Sequence, residues 1–181
     1  MDFSLSADQE EIRSAILKLC AQYSEDYWLE RDRSGEFPND FYKTMLDAGW
    51  MGIAMPESVG GAGLGITEAA IMMQAIAESG AGMTGTSTIH MPVFSLQPVA
   101  IFGTEAQQQR IFPRILSGED RVCFAVTEPN AGLNTTELTT RAEKVEGGYR
   151  VTGEKIWIST AQAATKMLLL ARTTPMDQIK R

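Results

Sequence analysis

The sequence predicts an α+β protein, with an all-α helical domain over residues 1–118 and part of an antiparallel β domain over residues 119–181. Three observations carry this. Capping boxes and helical apolar spacing recur through the first hundred residues. After Gly118 they give way to short β-branched and aromatic runs punctuated by glycine. Apolar residues make up 44% of the 181 positions against 22% charged, so the chain can bury a core and is not disordered. The balance of 16 basic and 23 acidic residues, a net charge of −7, argues against electrostatic docking on nucleic acid or an anionic membrane.

Ser6-Ala7-Asp8-Gln9 forms a capping box, and Ile12, Ala15, Ile16, Leu19, Ala21 and Tyr23 follow near helical spacing. A second helix is predicted from Pro38, carrying Phe41, Tyr42, Met45 and Leu46 and stopped by Gly49. A third runs from about Thr67 to Glu78, ending at Ser79-Gly80. Thr84–Phe102 is apolar nearly all round and reads as a buried helix, bent or interrupted at Pro92 and Pro98. Thr104-Glu105-Ala106-Gln107 is a second capping box, opening a helix that ends near Leu116-Ser117-Gly118.

Beyond Gly118, Val122–Thr127 is predicted as a strand and Thr139–Val145 alternates weakly. Glu146-Gly147-Gly148 turns the chain into Tyr149–Thr152 and Lys155–Ser159, a hairpin pattern, and Met167–Arg172 supplies a further apolar strand. So small a sheet has apolar edges that nothing in these residues covers, and the chain reads as cut at Arg181.

Several tempting motifs carry little. Gly60-Gly61-Ala62-Gly63-Leu64-Gly65 has the wrong spacing for a dinucleotide fingerprint, and no second strand ending in an acidic residue follows it. It reads as a tight glycine loop. His90 is the single histidine, and Cys20 and Cys123 lie far apart without a CxxC, so neither a metal site nor a disulfide framework is predicted. The ten methionines read as core filler. No apolar run approaches a bilayer span, and the N-terminus has neither a basic nor an apolar leader region, so a cytoplasmic location without a membrane anchor is expected.

The informative stretch is Cys123–Thr135. A strand delivers Thr127 into a Pro/Asn/Gly turn, where main-chain N–H groups and hydroxyls become free to face a diphosphate or the edge of a heterocycle. About thirty residues on, Lys155-Ile156-Trp157-Ile158-Ser159-Thr160 offers an aromatic face and two hydroxyls. Such a strand, turn and tryptophan also occur as ordinary core.

Phe124-Ala125-Val126-Thr127-Glu128-Pro129-Asn130-Ala131-Gly132 resembles the acyl-CoA dehydrogenase signature, and Gly153-Glu154-Lys155-Ile156-Trp157-Ile158-Ser159 is similar to that family's second signature. Pro56-Glu57 with Gly60-Gly61 and Gly63, and Gly103-Thr104-Glu105-Ala106-Gln107, also resemble the family, in order along the chain. The resemblance implies an N-terminal helical domain followed by part of an antiparallel β-barrel-like middle domain. It implies FAD as cofactor and α,β-dehydrogenation of an acyl-CoA to the trans-2-enoyl-CoA. It also implies an electron-transfer flavoprotein or similar acceptor, and a homo-oligomer when complete. By the match, the Val126 backbone and the Thr127 hydroxyl and N–H would bond the flavin's pyrimidine edge and N5 region. Phe124 would sit near flavin or thioester, and Trp157 would pack on the isoalloxazine with Ser159 donating to it. Thr86, Ser87, His90 and Phe94 would line the acyl pocket, their bulk implying a short or branched chain.

Two departures matter. The family usually follows Ala-Gly with Ser-Asp, whereas this chain has Leu133-Asn134, leaving Asn134 or Thr135 to hold the phosphate side. The resemblance also places the family's glutamate base in a C-terminal domain that these residues do not contain, so no catalytic residue is assigned and Glu128 is not taken as the base. The chain alone is expected to hold FAD poorly and to be inactive. Two further readings stay open: an acyl-CoA oxidase or flavin monooxygenase relative, and a truncated, non-catalytic family member acting as a binding or assembly protein.

Overall fold

The Gln9 amide donates to the Ser6 hydroxyl and the Ser6 amide donates to the Gln9 side chain, so α1 (Ala7–Cys20) begins where the capping box predicts. The protein, seen here as a computed structural model, is described over residues 4–175 and at Gln178. It divides into two compact units, one ending at Arg121 and one beginning at Val122.

In the first unit α2 (Glu25–Ser34) is an element that apolar spacing does not predict, since Trp28 is its one buried residue. Its signals are electrostatic and terminal. Ser24 caps the Tyr27 amide, Glu25 and Asp26 lie in the first turn, Arg31 and Arg33 in the last, and Gly35 ends it at φ 69°. Helix α3 (Asn39–Asp47) buries Phe41, Tyr42 and Met45. Helix α4 (Ile66–Ile76) leads through a wide turn, Ala77–Ala81, where Gly80 adopts φ 100°. Helices α5 (Gly82–Ser95), α6 (Gln97–Phe102) and α7 (Glu105–Leu116) complete the unit, the last opened by the predicted Thr104–Gln107 capping box.

Ile16, Phe41, Met45, Met51, Ile53, Met72, Ile76 and Ile89 are buried in the centre of this unit. Trp28 meets the edge of Phe41 at 4.9 Å between ring centroids, a pairing that adds roughly 0.5–1.5 kcal/mol to the burial itself.

One expectation is corrected. Thr84–Phe102 is not a uniformly buried helix: Phe94, Ile101 and Phe102 are exposed, and the break falls at Leu96 rather than at a proline. Pro92 is accommodated inside α5, while Pro98 lies in the first turn of α6, where a missing N–H costs nothing. An all-apolar run carries no periodic signal to mark its exposed side.

The glycine loop behaves as a loop. The amides of Gly61, Ala62, Gly63 and Leu64 donate to the carbonyls of Pro56, Gly52, Met55 and Ile53, so they are not presented to a ligand. A Cβ on Gly61 would lie 2.2 Å from the Met55 carbonyl oxygen, which is why glycine stands there.

In the second unit β1 (Val122–Ala125) pairs with β4 (Lys166–Leu169), and β2 (Arg141–Val145) pairs with β3 (Gly148–Thr152). The second pair is the predicted antiparallel hairpin, turned at Gly147 with φ 78°. The first pair is parallel, with Val122 opposite Lys166, which differs from the expected antiparallel arrangement. The long connection between β1 and β4 contains the hairpin and allows a crossover that a tight turn forbids.

The expected strand at Lys155–Ser159 is also corrected. The segment is irregular, with Trp157 at φ 57° and Thr160 at φ 61°. It attaches to the residues after β1 through one amide and one side chain, too few bonds to propagate a ladder. Among the described residues no helix is long and apolar enough to cross a membrane.

Candidate functional site

Strand β1 holds Val122, Cys123 and Ala125 in the interior and leaves Phe124 half-buried. Immediately after it, Val126 and Thr127 stay half-buried while Pro129 and Asn130 emerge into solvent. The carbonyls of this short run point to partners. Ile156 donates its amide to the Thr127 oxygen at 3.0 Å, and Lys155 Nζ donates to the Val126 oxygen at 2.7 Å. The Thr127 amide and hydroxyl have no hydrogen-bond partner among the described residues. At Thr127 the backbone is therefore anchored through its carbonyl, while its amide and hydroxyl stay available.

Glu128, next in sequence, is buried and fully engaged. Its carboxylate accepts from the Thr139 amide at 2.6 Å, the Thr139 hydroxyl at 2.7 Å, the Thr140 amide at 2.8 Å and Lys155 Nζ at 3.0 Å. Burial alone would raise its pKa. The hydrogen bonds from Thr140 and Thr139 and the Lys155 ammonium outweigh that and hold the carboxyl well below the usual carboxylate range. A group held this firmly in its ionised, acceptor-only state is a poor base. Glu128 thus ties its turn to Thr139, Thr140 and Lys155 through its carboxylate.

Lys155 is its counterpart, with only 8% of its side chain exposed. Both residues lie within the two signature-like stretches, and the sequence alone assigns the pair no role. No local signal marks the pair, because a glutamate in a Pro/Gly turn and a lysine ahead of a tryptophan meet only in the folded unit. Gly153 belongs to the same construction, because a Cβ there would lie 2.4 Å from the Thr140 hydroxyl and 2.7 Å from its Cα.

Two residues beyond Lys155, Trp157 turns outward with 85% of its surface exposed. Large aromatics rarely stand so free in a folded unit without a ligand or partner to cover them. Ser159 is exposed, beside the left-handed Thr160. Asn134 is exposed and uses its side-chain oxygen locally, accepting from the Thr136 amide at 3.3 Å and from the Thr136 hydroxyl. That oxygen stabilises a turn. Asn134 thus faces the phosphate-side role implied for it with its amide nitrogen alone. The second unit therefore gathers Val126 and Thr127 beside the segment that carries Trp157 and Ser159, while Phe124 lies on β1 and Asn134 in a separate turn.

The other four predicted residues lie on α5 in the first unit. The Thr86 hydroxyl donates to the Gly82 carbonyl at 2.7 Å, so it serves the helix. Ser87 and His90 are half-buried, with His90 Nδ1 3.3 Å from the Ser87 carbonyl oxygen. Burial lowers the His90 pKa, partly opposed by that carbonyl, and the ring is neutral at pH 7. Phe94 stacks on His90 at 6.2 Å and is 52% exposed, so these two rings form one half-open aromatic face rather than core.

These features define a class: a helical unit followed by a β unit that presents amide, hydroxyl and indole groups suited to a flat, hydrogen-bonding ligand. The chain belongs to the acyl-CoA dehydrogenase family. Residues 6–119 match the model of the acyl-CoA dehydrogenase N-terminal domain, and residues 123–181 match that of the middle domain. Among curated relatives, it is 29% identical to acyl-CoA dehydrogenase fadE12 of Mycobacterium tuberculosis, covering 94% of this chain and 44% of the relative. It is 32% identical to mitochondrial isovaleryl-CoA dehydrogenase of Pongo abelii, covering 93% of this chain and 40% of the relative. The solved structure of butyryl-CoA dehydrogenase from Megasphaera elsdenii superposes with a TM-score of 0.83 at 26% identity, over 97% of this chain and 46% of that one. The chain thus spans less than half the length of the relatives it matches.

Proposed function

We propose that this chain supplies the flavin-edge recognition and part of the acyl-pocket wall of an FAD-dependent acyl-CoA dehydrogenase. The observation that carries the reading is the division of labour at Thr127. Its carbonyl is spent on Ile156, and its amide and hydroxyl are kept for a ligand beside the exposed Trp157 segment. That donor set fits a flavin. An N–H and an O–H match the acceptor-rich pyrimidine edge, and an indole face matches a planar ring system. A solved structure described as the FAD complex of PigA shares the fold, with a TM-score of 0.86 at 23% identity.

When bound, FAD would supply hydride acceptance from the β-carbon of the thioester. The chain's own residues do the rest of what is assigned here. Val126 and Thr127 orient the ring edge, Trp157 and Ser159 cover its face, and Phe124 borders the ring or thioester. Asn134 faces the phosphate side. In the first unit Thr86, Ser87, His90 and Phe94 form the acyl wall, and a neutral His90 does so without placing charge against an apolar chain. No proton acceptor is assigned among the described residues. Hydrogen bonds lower the pKa of Glu68 and of Glu128, whereas a base for a C–H bond works best with a pKa near the working pH. An electron-transfer flavoprotein as acceptor, and assembly with further copies, belong to the same proposal; a solved electron-transferring flavoprotein of Acidaminococcus fermentans matches at 28% identity with a TM-score of 0.82.

The test is titration with FAD, followed by flavin fluorescence, in the parent chain and in Thr127→Val. The near-isosteric change removes one hydroxyl, so binding should weaken by roughly five- to tenfold, about 1 kcal/mol, with thermal stability unchanged. Equal affinities would remove Thr127 from the site.

A further inference from the structure

The Lys155 ammonium reaches the run after β1 on both sides of Thr127, bonding the Val126 carbonyl before it and the Glu128 carboxylate after it. The next residue, Ile156, bonds the Thr127 carbonyl itself. Three consecutive residues are thus clamped by two. The residue after the clamp is Trp157, a bulky aromatic at φ 57°, a backbone region that non-glycine residues occupy only when their surroundings over-determine it. Released from its neighbours, such a residue returns to extended or helical geometry. What holds it here is the anchorage immediately before it.

An ion pair removed from water gives little net stability compared with an apolar pair of similar volume, so its retention calls for another reason. Direction is what it provides. A hydrophobic pair in place of Glu128 and Lys155 would fill the space but would leave the Val126 carbonyl without its donor and let the 155–160 segment slide. A lysine stem is long enough to bond two different parts of one turn and so fixes the segment in register as well as in distance.

We infer that Lys155 is a positioning residue. Paired with Glu128, it holds Trp157 in its left-handed, outward-facing conformation beside the Thr127 donors, and so pre-organises the surface on which a planar cofactor rests. The inference deepens the flavin reading and rests on it for the identity of that cofactor. The conformational part stands on this chain alone. Pre-organisation raises affinity by removing the ordering cost from the binding step.

Fluorine NMR of the full chain labelled with fluorotryptophan tests both parts. The sequence has three tryptophans, Trp28, Trp50 and Trp157, and Trp157→Phe assigns the resonance of interest. Lys155→Met alone strands a buried carboxylate and risks unfolding, so the informative variant is the charge-neutral Glu128→Gln/Lys155→Met. Amide exchange in the β2–β3 hairpin serves as the control for folding. The expected result is a protected hairpin, unchanged Trp28 and Trp50 resonances, and a Trp157 resonance that narrows and moves to the shift of a freely rotating side chain. FAD affinity should fall by about tenfold or more, the equivalent of one or two lost contacts. A Trp157 resonance that keeps its position in the folded double variant overturns the assignment. Loss of hairpin protection in the double variant overturns it as well, because the pair would then be holding the whole unit. Absence of any FAD-induced change in the parent chain overturns the flavin reading, and the FAD-free spectra still decide the role of Lys155.

Discussion

Glu128 keeps its charge because Thr139, Thr140 and Lys155 replace the water it loses on burial. The consequence for stability has a definite sign. A carboxyl whose folded pKa is depressed contributes stability that is fully present above the unfolded value of about 4.3 and is lost as pH falls toward the folded value. Urea unfolding of the second unit should therefore weaken progressively below about pH 4.3 in the parent chain. In Glu128→Gln that slope should flatten, and stability at pH 7 should drop by about 3 kcal/mol because Lys155 is left uncompensated. A parent-like slope in the variant would assign the acid sensitivity to another group. At this scale the sequence was only partly legible. Thr127 and Trp157 announce themselves by residue type within a turn and a strand-like run. The Glu128–Lys155 pair does not, because two residues 27 apart give no local sign that they meet.

Helices whose buried stripe is wide were readable, and helices held by their ends were not. Helix α3 follows from Phe41, Tyr42 and Met45 in helical register, and α1 and α7 from their capping boxes. Helix α2 buries Trp28 alone, and its caps and charge gradient are easily passed over when apolar spacing is the criterion. The 155–160 segment failed for the opposite reason. Its β-branched and aromatic residues favour a strand, but Lys155 and Ile156 spend their bonds on residues 126–128. Helix α5 offers a direct measurement of which side is core. Ile89→Ala should cost about 2–5 kcal/mol, as a fully buried residue leaving a cavity, while Phe94→Ala should cost less than about 1 kcal/mol. Chemical denaturation of both variants checks this, and comparable losses would mean that Phe94 is packed core rather than wall.

The two units divide the work by type of contact. The helical unit buries a large apolar centre and leaves one half-open aromatic face, whereas the β unit buries an ionic knot and exposes an indole. The buried carboxylate of the β unit, Glu128, is held ionised by Thr139, Thr140 and Lys155. The chain supplemented with FAD should accordingly give no measurable oxidation of an acyl-CoA with an artificial electron acceptor; turnover above background would place the base within these residues and make Glu68 and Glu128 the first to substitute. Order and type of most elements were legible across the whole molecule because capping and periodicity are local. The parallel pairing of β1 with β4 was not, since it depends on a crossover closed by residues far apart. The most direct measurement of the central claim follows the Trp157 fluorine resonance during FAD titration of the parent chain and of Thr127→Val. A saturable shift of Trp157 alone, with its midpoint moved roughly five- to tenfold by the loss of the hydroxyl, is the predicted result. Perturbation of Trp28 or Trp50 with Trp157 unmoved would contradict it.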